Sequence, residues 1–247
     1  SKGLKSNQPM TLSGGDITIK TTGGVVLETA GSGYNPAYCT AIKGDSTSVT
    51  LSGANVNINS SGIAGKGISA GGDIYITGGI VNVTTTGLGA TYKNSTGTTD
   101  AYNATCITAD GNINILAGSV TTSSSGSGGK GISANGALTF GDNGNSPVEN
   151  ITTTGAKITI SESTNTGGGP GWGGGPGGGG PGGGGPGGSS GTYDEAKAIK
   201  VNGVVTVNNG TLSINSADDG IKSDVSIIIN NGTVSVTKSV EGMESPS

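Results

Sequence analysis

The sequence contains no arginine and no histidine among its 247 residues. All twelve basic residues are therefore lysine, set against sixteen Asp and Glu for a net charge of −4. A chain with no guanidinium and a negative balance has no electrostatic drive toward nucleic acid, so none is expected as a partner. Absence of His removes the Ser-His-Asp triad and every His-ligated metal site. Aromatic residues make up 3%, with one Trp and one Phe, and charged residues 11%. No stretch is long and apolar enough to cross a membrane as a helix. Leu, Ala, Glu and Lys are too sparse for a helical domain, whereas Thr, Ser, Asn, Val and Ile suit strands and turns. There is no secretion-signal pattern at the start, and residues 1–5 read as a processed N-terminus. Low charge, abundant hydroxyls and only two cysteines point to an extracellular or cell-surface setting.

What is abundant is glycine, 52 residues, and repetition. Residues 198–219 and 220–241 align without a gap at a period of 22, and Gly242 opens a further copy. Earlier copies are marked by isoleucines 42, 68, 107 and 132, ahead of Ile199 and Ile221. The intervals are 26, 39, 25, 67 and 22 residues, so two of them carry insertions. A degenerate copy precedes them around Asp16–Ile19. Each copy places a small-residue turn after its isoleucine, then an alternating strand such as Val205–Val207. A second Asn/Gly turn follows, then a second alternating strand such as Leu212–Ile214. Alternation with period two, bounded by such turns, marks half-buried strands.

Three short strands in about 22 residues cannot bury an apolar face alone; stacked copies can. The expected fold is all-β, a right-handed parallel β-helix (β-solenoid) of about eight coils of ~22 residues in one domain spanning 1–247. Its narrow lumen explains the shortage of aromatics. A glycine-rich β-sandwich, the competing fold, has no reason to repeat in register. The insertions fall at about 87–105 and 161–195. The second contains a Gly/Pro tract, 167–188, with seventeen glycines, four prolines and Trp172. It reads either as a flexible linker or as ordered polyproline-II-like strands. Thr-rich runs at 84–86, 121–122 and 152–154 read as exposed strand threonines with no fixed place in the repeat.

Cys39 and Cys106 close similar segments, Tyr34–Cys39 and Tyr102–Cys106, just before two anchor isoleucines. A disulfide is one reading in an oxidising compartment. Two buried small hydrophobes is the other, because two coils of separation is near 10 Å, beyond ordinary disulfide reach.

The acidic residues concentrate at Asp218-Asp219, Asp224, Glu241 and Glu244. Alignment stacks Lys197, Asp219 and Glu241 in one column, with Lys66 and Lys130 earlier in it, and Lys200, Lys222 and Glu244 in another. Such columns are charge ladders, or they hold Ca²⁺ at Asp218, Asp219 and Glu241, since hard oxygen ligands suit that ion. Asp218 and Asp219 are poor candidates for a catalytic pair, because neighbours on a strand face opposite ways. With Arg absent as a base too, the chain is expected not to be an enzyme. Trp172 and Tyr193 are the aromatic candidates for a sugar platform, with Lys222 beside the acidic motif.

Residues 217–224 (ADDGIKSD), 230–233 (NNGT) and 240–244 (VEGME) resemble the bacterial carbohydrate-binding domain family with a polysaccharide-lyase-like right-handed β-helix. Its members repeat a D-D-G-I-K motif followed by E-G-I-E; here Met243 replaces the Ile. The resemblance implies an extracellular, non-catalytic, calcium-containing fold that binds cellulose-like or acidic plant or cell-surface polysaccharides. It places the acidic positions at Asp218, Asp219 and Glu241. A second expectation is a self-assembling extracellular filament, a homopolymer stacked head to tail through uncapped solenoid ends.

Overall fold

A computed structural model describes residues 2–161 and 192–246. Among these residues all regular structure is β, and no helix is long and apolar enough to cross a membrane. Two long parallel sheets dominate. The first has eight strands, stacked in chain order: Lys2–Ser6, Thr40–Gly44, Lys66–Ala70, Thr105–Ala109, Lys130–Ala134, Ile199–Val201, Ile221–Ser223 and Met243–Glu244. The second has eleven, among them the long strands Val49–Ser60, Ile74–Thr85 and Ile113–Ser124. Between successive visits to the first sheet the chain passes through the second, so each return adds a strand beside the last.

Registry follows the repeat. The anchor isoleucines pair in unbroken order, Ile42 with Ile68, then Ile107, Ile132, Ile199 and Ile221. Leu4 extends the column at one end and Met243 at the other. Across the core the second sheet supplies facing columns, such as Leu51, Ile76, Ile115, Phe140 and Val207. The only Phe thus occupies an ordinary aliphatic position, fully buried. Each buried aliphatic contributes roughly 1.5–3 kcal/mol of transfer free energy, and the in-register stack lets every copy use its neighbours' apolar faces.

A second inner column is polar. Thr21, Ser60, Thr85, Ser124, Thr153 and Ser216 are buried. Their hydroxyls bond in pairs, Thr21 to Ser60, Thr85 to Ser124, and Thr153 with Ser216, each at 2.9 Å. The Thr-rich runs are therefore not simply exposed: Thr85, Thr122 and Thr153 point inward. Among the described residues, the buried Thr122 hydroxyl and both carboxyl oxygens of Glu149 have no hydrogen-bond partner.

Three antiparallel hairpins project from this frame: Val26–Ala30 with Gly33–Ala37, Ala90–Lys93 with Thr99–Tyr102, and Ile158–Ser161 with Thr192–Asp194. The second falls within residues 87–105, and the strands of the third flank 162–191, which lie outside the described residues. The first is an addition that no anchor interval could show, because the strand before it carries Leu4 rather than Ile. Each hairpin leads into a strand of the first sheet. Gly31, at φ 55°, brings the first hairpin against the second, where the Ser32 amide donates to the Ser95 carbonyl at 2.8 Å. Tract 167–188, including Trp172, lies outside the described residues.

The possible disulfide is corrected. Cys39 and Cys106 are both buried and not bridged to each other. Thr40 and Thr105, next to them, both pair with Lys66 on the strand between. Two strand spacings, about 10 Å, exceed the reach of a disulfide. The Cys106 thiol lies near the Thr85 hydroxyl at 3.5 Å and donates to the Ser123 carbonyl at 3.3 Å. Burial pushes it up to about 11, keeping it a neutral small hydrophobe.

Candidate functional site

The hairpins stand along the first sheet and turn one of its faces into a cleft. A column one residue past the anchors runs Lys5, Lys43, Ser69, Thr108, Ser133, Lys200, Lys222, Glu244. It is basic at its start, hydroxylic in the middle, basic again at Lys200 and Lys222, and ends on Glu244.

The central part has a volume of about 390 Å³. Its floor carries Lys66, Asp110, Lys130 and Lys200; the hairpins contribute Asp100 and Tyr193, and Tyr38 follows the first of them. Lys130, 6% exposed, pairs with Asp194 at 2.6 Å and donates to the Gly128 carbonyl at 3.2 Å. Its ammonium is held below the usual lysine range by burial, with Asp194 opposing. Asn103 donates to the other Asp194 oxygen at 2.6 Å, tying the second hairpin to the third. Lys157 sits over the Tyr193 ring, 3.7 Å from its centroid, and Lys66 over Tyr38 at 4.0 Å. Tyr38 is raised well above the ordinary phenol range, first by burial and then by Tyr92, Asp100 and Asp194, so it stays a neutral hydroxyl.

The acidic end is a separate cavity of about 370 Å³, reaching Glu195, Lys197, Asp218, Asp219, Glu241 and Glu244. Lys197 pairs with Glu195 at 2.7 Å, with Asp218 at 2.9 Å, and with Asp219. Burial opposes its charge, but the three carboxylates outweigh burial and raise it. Asp218 is lowered, chiefly by the Lys197 hydrogen bond working against burial. Lys222 pairs with Glu244.

The charge ladders read from the repeat are thus present. The expectation that Asp218 and Asp219 diverge is corrected: residues 215–220 contain a turn rather than a continuous strand, and both carboxylates converge on one ammonium. The three expected metal ligands do not form one set. Carboxylate oxygens of Glu195, Asp218 and Asp219 lie within 4.8 Å of one another, and so do those of Asp219, Glu241 and Glu244. The first set has the Lys197 ammonium on all three members. In the second, Lys197 is on Asp219 and Lys222 on Glu244, and Glu241 alone has no ion pair among the described residues, so Asp219, Glu241 and Glu244 are the less blocked of the two sets for a hard cation. Tyr193 lines the central cleft, whereas Lys222 belongs to the acidic cavity, so these two expected ligand contacts are not brought together.

Sequence reasoning missed Tyr38, Asn103 and Asp194 as cleft residues. A signal existed in the echo between Tyr34–Cys39 and Tyr102–Cys106, which marks equivalent loops before two anchors. Asp194 gave none, because its partner Lys130 lies 64 positions away.

No curated protein and no solved structure matches the chain. A family model described as "Carbohydrate-binding domain-containing protein" matches residues 89–242, more than half of the sequence. That span takes in the second and third hairpins, most of the central cleft and much of the acidic cavity. The chain belongs to the carbohydrate-binding domain-containing family.

Proposed function

We propose that this chain is a non-catalytic polysaccharide-binding module working outside the cell, and that the glycan lies along the cleft of the first sheet. The observation carrying the reading is that cleft: about 390 Å³, lined by hydroxyl, amide, ammonium and carboxylate groups with two tyrosines, in a family defined by carbohydrate binding. Alternating donors and acceptors beside aromatic rings suit the hydroxyl edges and apolar faces of a sugar. We further infer that the alternation between sheets winds as a right-handed parallel β-helix of about eight coils, since parallel crossovers are almost always right-handed. Such a frame repeats binding groups at about 4.8 Å, close to the advance of a linear polymer.

A panel of cello-oligosaccharides and oligogalacturonides, titrated calorimetrically into the full chain, tests the reading. Binding of at least one is expected, and Tyr193→Ala should weaken it about tenfold, or ~1.4 kcal/mol, while Tyr193→Phe should not. A flat titration with every glycan would sink the proposal. Calcium assistance rests on Asp219, Glu241 and Glu244. A Tm that rises with millimolar CaCl2 and falls with chelator supports it; a Tm insensitive to both removes calcium from the reading.

A second reading, assembly of copies by strand addition, is favoured by one feature. Ile228, Ile229 and Met243 are 43%, 45% and 50% exposed on the outermost described strands. Sedimentation velocity should then show species growing with concentration, and a single monomeric boundary at every concentration overturns it.

A further inference from the structure

Cys39 and Cys106 are not bridged to each other, yet another pair of side chains is placed for a covalent bond. Asn103 follows the second hairpin, Lys130 opens its strand of the first sheet, and Asp194 ends the third hairpin. Asp194 bridges the other two. One of its carboxylate oxygens accepts from the Lys130 ammonium at 2.6 Å, and the other from the Asn103 side-chain amide at 2.6 Å. An ionised carboxylate can only accept, so it holds the Asn103 amide nitrogen toward itself. The Asn103 amide oxygen accepts from the Thr105 hydroxyl at 3.0 Å. The backbone keeps the same groups close. Lys130 pairs with Thr105 in the sheet, and its backbone amide donates to the Ala104 carbonyl at 3.0 Å.

These four residues supply what an acyl transfer needs. Lys130 is 6% exposed, and burial, with Lys200 and Lys197 behind it, favours the neutral amine, the nucleophilic form, against the pull of Asp194. Asp194 touches both the attacking and the leaving nitrogen, as a proton shuttle must. Thr105, 3% exposed, donates to the oxygen on which negative charge would develop. One carboxylate holding both the amine and the carboxamide orients them for reaction.

We propose that Lys130 and Asn103 join in an intramolecular isopeptide bond, with Asp194 as the general acid and base. The Asp194 carboxylate takes a proton from the Lys130 ammonium. The freed amine attacks Cγ of Asn103, and an Nζ–Cγ bond forms. Asp194 passes its proton to Nδ2, which leaves as ammonia when the Cγ–Nδ2 bond breaks. Asp194 then accepts the surplus proton from Nζ and yields it to the ammonia, so ammonium departs and the carboxylate is restored. The bond closes the loop from 103 to 130 and fixes the foot of the second hairpin to the sheet, independently of any reductant.

Lys66 is the internal control. It pairs with Thr105 from the other side, at the place equivalent to Lys130. Tyr38 stands two residues before Thr40, as Asn103 stands two before Thr105, and the Lys66 ammonium lies over its ring at 4.0 Å. Lys66 has no carboxamide or carboxylate bonded to it among the described residues, so it has no acyl group to attack.

Mass spectrometry of the full purified chain, denatured and then digested, tests the bond. The unaltered chain should weigh less than its sequence by one ammonia. Its digest should contain one branched peptide joining Lys130 to Asn103, with Lys66 in unmodified peptides only. Asp194→Ala should have the full sequence mass and release the two peptides separately; if it fails to fold, the unaltered chain decides alone. Full mass with separate peptides overturns the proposal. So does loss of ammonia without a branched peptide, the mark of a succinimide at Asn103, or loss of one water with Lys130 joined to Asp194. A branched peptide that persists in folded Asp194→Ala overturns the part given to Asp194.

Discussion

Glu149 occupies a position built for an aliphatic. In the second sheet its column runs Ile17, Val56, Val81, Val120, Glu149, Leu212, Val234. Its side chain is fully buried, and neither carboxyl oxygen has a hydrogen-bond partner. Burial alone pushes its pKa from 4.5 up to about 8, so at neutral pH it is mostly a protonated acid. The sign of the linkage follows. Between about 4.5 and about 8 the folded state holds a proton that the unfolded state has released. Stability therefore falls as pH rises through that window, by about 1.4 kcal/mol per unit, and the contribution is flat on either side. Thermal melts of wild type and Glu149→Leu between pH 4 and 9 check this. The variant should be more stable by a few kcal/mol at pH 8, with the gap closing toward pH 5. A gap independent of pH would show that the carboxyl ionises in contact with water.

At the scale of the element, the segment joining strands Thr211–Asn215 and Ile221–Ser223 concentrates the acidic chemistry. Lys197, just before the strand Ile199–Val201, pairs with Glu195, Asp218 and Asp219 together. Removing one partner of a half-buried network leaves like charges facing one another, a loss of about 2–3 kcal/mol at pH 7 after discounting for solvent. Lys197→Met should show that loss in denaturant melts. Asp218 is depressed in the folded state, so the stability it contributes is present above its usual range and lost as pH falls through its lowered value. The difference between wild type and variant should therefore shrink below about pH 4. Calcium should restore part of the variant's stability, since the ion then replaces the ammonium. An unchanged midpoint for Lys197→Met would mean that the ladder is solvated and carries little energy.

Across the whole molecule, stability is distributed along the stack, because each strand of the first sheet is hydrogen-bonded only to the strands beside it. Inner strands have neighbours on both sides and outer ones on one. Amide exchange should accordingly be slowest from Lys66–Ala70 through Lys130–Ala134 and fastest at Met243–Glu244. Ile132→Ala, in the middle of the column, should cost about 2–5 kcal/mol, and Met243→Ala, half-exposed, far less. Equal protection at the centre and the outer edge would argue against a linear stack.

Much of this was legible in the sequence, for a physical reason. A 22-residue period with alternating strands leaves each copy unable to bury its apolar face, so parallel stacking in register follows from the repeat. The column of Ile42, Ile68, Ile107, Ile132, Ile199 and Ile221 and the ladder of Lys200, Lys222 and Glu244 were both readable by alignment alone. Other features depend on atoms far apart in the chain. Whether Asp218 and Asp219 diverge depends on the turn that holds them, not on their adjacency. Whether Cys39 meets Cys106 depends on the strand inserted between them. Thr85 and Thr153 look like surface residues until the inner hydroxyl column gives them partners. The clearest case is the pair Lys66 and Lys130, alike in sequence as K-G-I-S-A and equivalent in the sheet. The repeat determined that they would align. Only the tertiary structure decided that one would receive Asp194 and the other the ring of Tyr38, because hairpins inserted between repeats, free of the repeat's register, bring different groups to equivalent places.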